Sequence, residues 1–119
     1  MDKGDINKIR HIQRYCEDIG KTIERFGNSF ETFSQDMDYC NSISMNIMQI
    51  GELSVGLSEV FKSNTQEQIP WGLIKGMRNH FAHGYAAMDM SDIWETAIHD
   101  IPHLLAFCES IIKGTHPDN

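Results

Sequence analysis

Apolar residues recur every three or four positions along almost the whole chain, and that rhythm predicts helices throughout. Ile6, Ile9, Ile12, Cys16, Ile19, Ile23 and Phe26 mark one face of a long first helix, because residues at this spacing share a side. Gly27 is suited to end it. Asn28, with Glu31 three residues on, has the form of a capping box, so a short helix carrying Phe30 and Phe33 is predicted next. Asp36 can cap a longer helix with the stripe Cys40, Ile43, Ile47, Ile50, Leu57 and Phe61, and with Leu53 and Val60 beside it. Gly51 and Gly56 fall inside that helix. Each costs about 1 kcal/mol against alanine in an exposed helix interior, and the expected return is close approach of a neighbouring helix.

Lys62 to Gln68 is polar and reads as a loop. Pro70 suits the first turn of a helix, where its missing N–H is harmless. Trp71, Ile74, Met77 and Phe81 continue that helix as a stripe, and Gly84 suits its end. Ser91 is placed to cap a last helix with the face Trp94, Ile98, Ile101, Leu105, Cys108 and Ile112. Pro102 lies inside it and should kink it, at about 3 kcal/mol unless packing uses the bend. Nothing alternates with period two for long enough to make a strand. Four main helices and one short one, joined by short loops, imply an all-α antiparallel four-helix bundle. Residues 1–113 read as a single domain and Gly114 to Asn119 as a frayed tail.

A chain of 119 residues can bury roughly two thirds of its unfolded surface, enough for one core without staples. No apolar run approaches the ~18 residues of a membrane span. Met1 to Asp5 is polar and lacks an apolar signal core, so a cytoplasmic location is the default. The three cysteines, Cys16, Cys40 and Cys108, are widely spaced with no CxxC pair. That argues against a disulfide framework and a thiolate zinc site, and their helix positions make them small buried hydrophobes. The seven methionines mostly follow the stripes and read as core filling.

Charge changes the picture in one respect. The net charge of −7 argues against broad nucleic-acid binding through a basic surface. Yet Lys3, Lys8, Arg10, Arg14, Lys21 and Arg25 put six of the ten basic residues in the first 25 positions. No acid occurs between Gln68 and Met88, where Lys75, Arg78, His80 and His83 fall. The segment is locally basic in an acidic chain, able to grip one or a few phosphates.

That segment contains Met77-Arg78-Asn79-His80-Phe81-Ala82-His83-Gly84-Tyr85. Arg78 is a permanent cation whose planar fork matches phosphate oxygens. His83 can give or take a proton near neutral pH. Together they are the minimum kit for attack of an RNA 2′-hydroxyl on its adjacent phosphate, with His83 as general base or acid and Arg78 stabilising the developing charge. Asn79 can orient a phosphate oxygen or the histidine ring. His80 reads as solvent-facing or substrate-touching; its spacing to His83 makes a metal pair the weaker alternative. Residues five apart lie about 140° apart around an ideal helix. Either the helix loosens before Gly84, or the working site pairs Arg78 and His83 from two protomers. His99, His103 and Glu95 form a polar stripe on the last helix, read as a solvated face, and Trp71 and Trp94 read as core.

The order Arg78-x-x-x-x-His83-x-Tyr85, with Asn79 after the arginine, resembles the signature of the HEPN superfamily and within it the HepT-like toxins. Ile47 to Ser54 resembles the family's long middle helix, Ile69 to Asn79 its approach to the site, and Ile93 to Leu105 its last helix. The resemblance implies the same helical bundle as a homodimer, with the cleft at the dimer interface. It implies a metal-independent endoribonuclease needing no cofactor, acting on RNA such as tRNA or mRNA, with Arg78 and His83 catalytic and Asn79 and His80 in support. It also implies the toxin of a type VII-like toxin–antitoxin pair, silenced when an MntA-type nucleotidyltransferase antitoxin attaches AMP to Tyr85. A non-catalytic nucleotide- or nucleotidyltransferase-binding HEPN module is the alternative. A histidine phosphorelay bundle is a third reading, weakened by the position of His83 beside Gly84.

Overall fold

The computed structural model describes residues 1–84 and 88–114. Helix α1 runs Lys3–Phe26, α2 Phe30–Gln35, α3 Met37–Val55, α4 Glu59–Thr65 and α5 Trp71–Ala82. Helix α6, Met90–Glu95, continues through a π-helical turn at Thr96–Asp100 into α7, Ile101–Gly114. The described residues contain no strand. No helix among them is long and apolar enough to cross a membrane.

The bundle is antiparallel at every long contact. Asp5 near the start of α1 meets Ser58 just beyond α3, while the Tyr39 hydroxyl at the start of α3 donates to the Gly27 carbonyl just beyond α1 (2.8 Å). Helix α5 returns along α3, with Trp71 beside Ser54 and Arg78 against Gly51. The α6–α7 rod then runs back along both α5 and α1. Isoleucines, among them Ile9, Ile12, Ile19, Ile43, Ile69 and Ile93, make up much of the buried core. Aromatic clusters close the two ends. Phe33 packs on Tyr39 and Trp94 at one, and Phe61 on Trp71 and Phe107 at the other. Both tryptophans are therefore core, as their stripe positions predict.

The largest departure from the sequence reading comes from a contact between distant segments. Helix α3 stops at Val55 instead of running on to Phe61. The buried Asp5 carboxylate accepts from the Ser58 N–H (2.8 Å) and hydroxyl (2.6 Å). The Ser58 hydroxyl in turn accepts from the Phe61 N–H (3.1 Å) and caps a second short helix. So Gly56 ends α3 rather than lying within it, much of the expected loop from Lys62 to Gln68 is helical, and Val60 is exposed. The caps move by one or two residues: Ser29 rather than Asn28 caps α2, and Asp89 rather than Ser91 caps α6. Pro70 stands at the N-cap of α5, one residue before its first turn.

The last helix continues through Pro102, with a π turn immediately before it. The proline cannot donate to the carbonyl four residues back, and in the π turn the Ile101 N–H bonds back to Thr96. The buried face is wider than expected and only partly the predicted one. Trp94, Ile101 and Cys108 are buried as predicted, Ile98, Leu105 and Ile112 are only half-buried, and Ile93, Ala97, Leu104 and Phe107 are buried beside them. All three cysteines are free and buried, and burial pushes the Cys16 thiol upward and the Cys108 thiol to about 12. Met48, Met77, Met88 and Met90 pack against the core, but Met37 and Met45 are exposed.

Candidate active site

Arg78 lies on the face of α5 that meets α3, and a glycine makes the approach possible. A Cβ at Gly51 would stand 2.8 Å from the Arg78 Cβ, closer than carbon atoms pack, and 3.3 Å from its Cγ. The arginine stem therefore rests directly on the α3 backbone. Its head is held from two sides. Nε donates to Glu52 Oε1 (2.8 Å) and Nη2 to Glu52 Oε2 (3.5 Å), while Nη1 donates to the Asn79 side-chain carbonyl (2.9 Å). Those bonds use three of the five guanidinium N–H groups. The remaining two can meet phosphate oxygens without breaking the anchor.

The close helix packing that a glycine at position 51 predicts is found. The glycine's neighbour Glu52 is a partner of Arg78 that the sequence analysis does not name. The available signal was an acid directly after a glycine in a helix interior. Asn79 is beside Arg78 as expected, but it grips the guanidinium rather than a histidine ring.

His83 caps the C-terminus of α5, with φ −90° and ψ 5°, and Gly84 follows at φ +101°. Helix α5 stays regular through Ala82, so its loosening comes too late to swing His83 round to Arg78. His80 and His83 are exposed and line an open groove of about 760 Å³ between α5 and α6. Arg78 lines a different space, an apolar cavity of about 160 Å³ between α3, α5 and α7. One chain thus joins His80 to His83 and Arg78 to Asn79, but does not bring Arg78 and His83 into one pocket. Tyr85 lies outside the described residues.

The electrostatics of the histidine groove differ from the sequence impression. The segment from Gln68 to Met88 carries no acid, yet Asp89, Asp92 and Glu95 wall the groove from the α6 side. Asp89 is held below the usual carboxylate range by the Ser91 hydroxyl and N–H that donate to it. On the last helix, His99 pairs with Glu95 (3.1 Å), and His103 meets the Gln68 carbonyl (3.0 Å) while lining the same cavity as Arg78. Both are exposed, in keeping with a solvated stripe.

The family described as ribonuclease HepT-like matches residues 9–111 of the chain. Three relatives, whose ribonuclease names are themselves provisional, align over nearly their whole lengths. A protein of Caldanaerobacter subterraneus subsp. tengcongensis named as an RNase is 31% identical over 105 residues, covering 88% of this chain and 91% of the relative. One from Thermococcus cleftensis named as ribonuclease HepT is 31% identical over 109 residues, covering 87% and 98%. One from Methanocaldococcus jannaschii, also named as an RNase, is 32% identical over 113 residues, covering 87% and 93%. No solved structure matches the chain.

Proposed function

The chain belongs to the HepT-like ribonuclease family, and from that premise we propose that it is a metal-independent endoribonuclease with Arg78 and His83 as its catalytic pair. The observation that carries this reading is the anchoring of Arg78. Glu52 and Asn79 fix the guanidinium and leave two N–H donors unused, an arrangement suited to a phosphate whose charge rises in the transition state. His83, exposed at the end of α5, takes the 2′-hydroxyl proton or returns one to the leaving 5′-oxygen. His80 lies in the same groove and touches substrate beside it. Because Arg78 and His83 of one chain line separate spaces, the reading includes a homodimer in which the arginine of one protomer meets the histidine of the other.

The regulatory part of the proposal rests on family kinship. An MNT-type nucleotidyltransferase antitoxin transfers AMP from ATP to the hydroxyl oxygen of Tyr85, two residues from His83; the new bond forms at the α-phosphorus, the α–β phosphoanhydride bond breaks, and pyrophosphate leaves. The added phosphate opposes Arg78 and blocks the approach of RNA, which makes the pair a toxin and its antitoxin.

The acidic wall of the histidine groove repels RNA and so favours one alternative, a non-catalytic module: the wall suits contact with a nucleotidyltransferase, while a nucleotide, itself an anion, would have to bind elsewhere on the chain. One experiment separates the two. RNA is incubated with the wild type and with His83→Ala in excess EDTA, and the intact mass of each protein is measured. Cleavage by the wild type alone supports the ribonuclease. An unmodified dimer that leaves RNA whole refutes it in favour of the binding module. An inert protein carrying an AMP-sized mass excess supports the silenced toxin, with Tyr85 the first residue to map.

A further inference from the structure

A ribonuclease must attract a polyanion, and the groove around His83 is poorly built for that alone. Asp89, Asp92 and Glu95 line it, and Glu52 already pairs with Arg78. The attraction has to come from elsewhere on a chain of net charge −7. Helix α1 holds six of the ten lysines and arginines of the chain. Lys3, Arg10, Arg14, Lys21 and Arg25 are spaced 7, 4, 7 and 4 residues apart and are all exposed. At about 100° per residue they fall within an arc of roughly 60°. The buried Ile9, Ile12, Cys16 and Ile19 lie on the opposite side of the same helix. Glu17, Asp18 and Glu24, the acids in this part of α1, flank the arc without entering it. Among the described residues no carboxylate forms an ion pair with Lys3, Arg14, Lys21 or Arg25. Most exposed helices alternate their charges; here one sign occupies the outermost line for the length of the helix.

We propose that this outer line of α1 binds the phosphate backbone of the RNA substrate, away from the cleavage site and without regard to base sequence. The proposal rests on the ribonuclease reading for the identity of its ligand. Lys3 and Arg25 stand 22 positions apart, about 33 Å at a rise of ~1.5 Å each. A stacked strand carries a phosphate every ~3.4 Å, so the line runs beside about ten nucleotides. An RNA of a few nucleotides is too short to engage it, whereas a folded or long RNA is not. The contacts are charge on charge, without base-reading side chains.

The test is binding of a 20-nucleotide 2′-O-methyl RNA, which resists 2′-hydroxyl attack, by the wild type and by Arg14→Gln/Lys21→Gln/Arg25→Gln across a salt series. Each phosphate contact to a single strand contributes about 0.7 to the slope of log affinity against log salt. The triple variant should therefore have a slope shallower by about 2. Between ~50 and ~200 mM salt the wild type then loses about fifteen-fold more affinity than the variant. Glutamine keeps helix propensity close to that of lysine and arginine. Should the triple variant fail to fold, Arg14→Gln/Lys21→Gln reads the same effect at about two thirds of the size. A slope equal to wild type overturns the proposal and leaves the line to another partner, such as an acidic protein. A wild type that cuts RNA while the slope is unchanged refutes this inference alone. A wild type that cuts nothing, yet binds RNA with the expected change in slope, supports the inference and refutes the ribonuclease reading.

Discussion

Gly51→Ala and Gly76→Ala are the same chemical change with opposite expected outcomes. Both glycines lie in helix interiors, where alanine is favoured by up to about 1 kcal/mol. A Cβ at Gly76 meets nothing within 4 Å, so the propensity gain is realised in full. A Cβ at Gly51 comes within 2.8 Å of the Arg78 Cβ and 3.6 Å of its Cα. These atoms are fixed to the α5 backbone and cannot swing aside, so the helices must separate. Overpacking of this kind costs about 1–3 kcal/mol. After the propensity gain, Gly51→Ala should be destabilising by about 1 kcal/mol. For a domain of this size that is a fall in Tm of about 4 °C, against a rise of up to about 4 °C for Gly76→Ala. Thermal unfolding followed by circular dichroism reads both. A Gly51→Ala protein as stable as Gly76→Ala would refute the claim that close contact with Arg78 is why α3 carries a glycine there.

Glu52→Gln keeps an acceptor for Arg78 but removes the charge; its exposure makes the pair worth only about 0–1 kcal/mol, so Tm should shift little while RNA cleavage falls in kcat more than in KM. A loss of Tm matching the loss of activity would make Glu52 merely structural. Asp5→Ala strips the buried bonds to Ser58 and should cost about 2–3 kcal/mol in urea unfolding, because hydrogen bonds to a charged group are strong and the Ser58 N–H is left without its acceptor. Unchanged stability would show that the junction of α1 and α4 is held by packing alone. Buried Cys108 holds its proton to about 12, against 9.0 for an ordinary thiol. The unfolded chain therefore loses that proton first, so the thiol's contribution to stability is intact below 9.0 and is lost as pH rises from 9.0 towards 12. Rapid labelling of native protein by a thiol reagent near neutral pH would contradict that burial.

The helical fold was legible because its signal is local and repeated. Ile9, Ile12, Cys16 and Ile19 needed only their spacing to announce the buried face of α1. Trp71 and Phe81 did the same for α5, and the Arg78-to-Tyr85 order identified the family. Boundaries were less legible where a distant partner sets them. Nothing near Val55 reveals that Asp5, fifty residues earlier, holds Ser58 and starts a new helix there. Nothing in the Trp94-to-Ile112 stripe reveals that a π turn precedes Pro102 or that Ile93, Ala97, Leu104 and Phe107 join Trp94, Ile101 and Cys108 inside.

The candidate site divides in the same way. Its residue types, the permanent cation of Arg78 and the titratable ring of His83, belong to the sequence, because side-chain chemistry is intrinsic and their spacing places them about 140° apart on any regular helix. The surroundings of that chemistry belong to the tertiary structure. A stretch without a single acid from Gln68 to Met88 reads as basic, yet Glu52 comes across from α3 to take the arginine, and Asp89, Asp92 and Glu95 close on the histidines from α6. Electrostatic interaction depends on separation in space, and sequence neighbours are only some of a side chain's spatial neighbours. The order of residues therefore determined which groups are available for chemistry, and the packing of α3, α5 and α6 decided which charges face them.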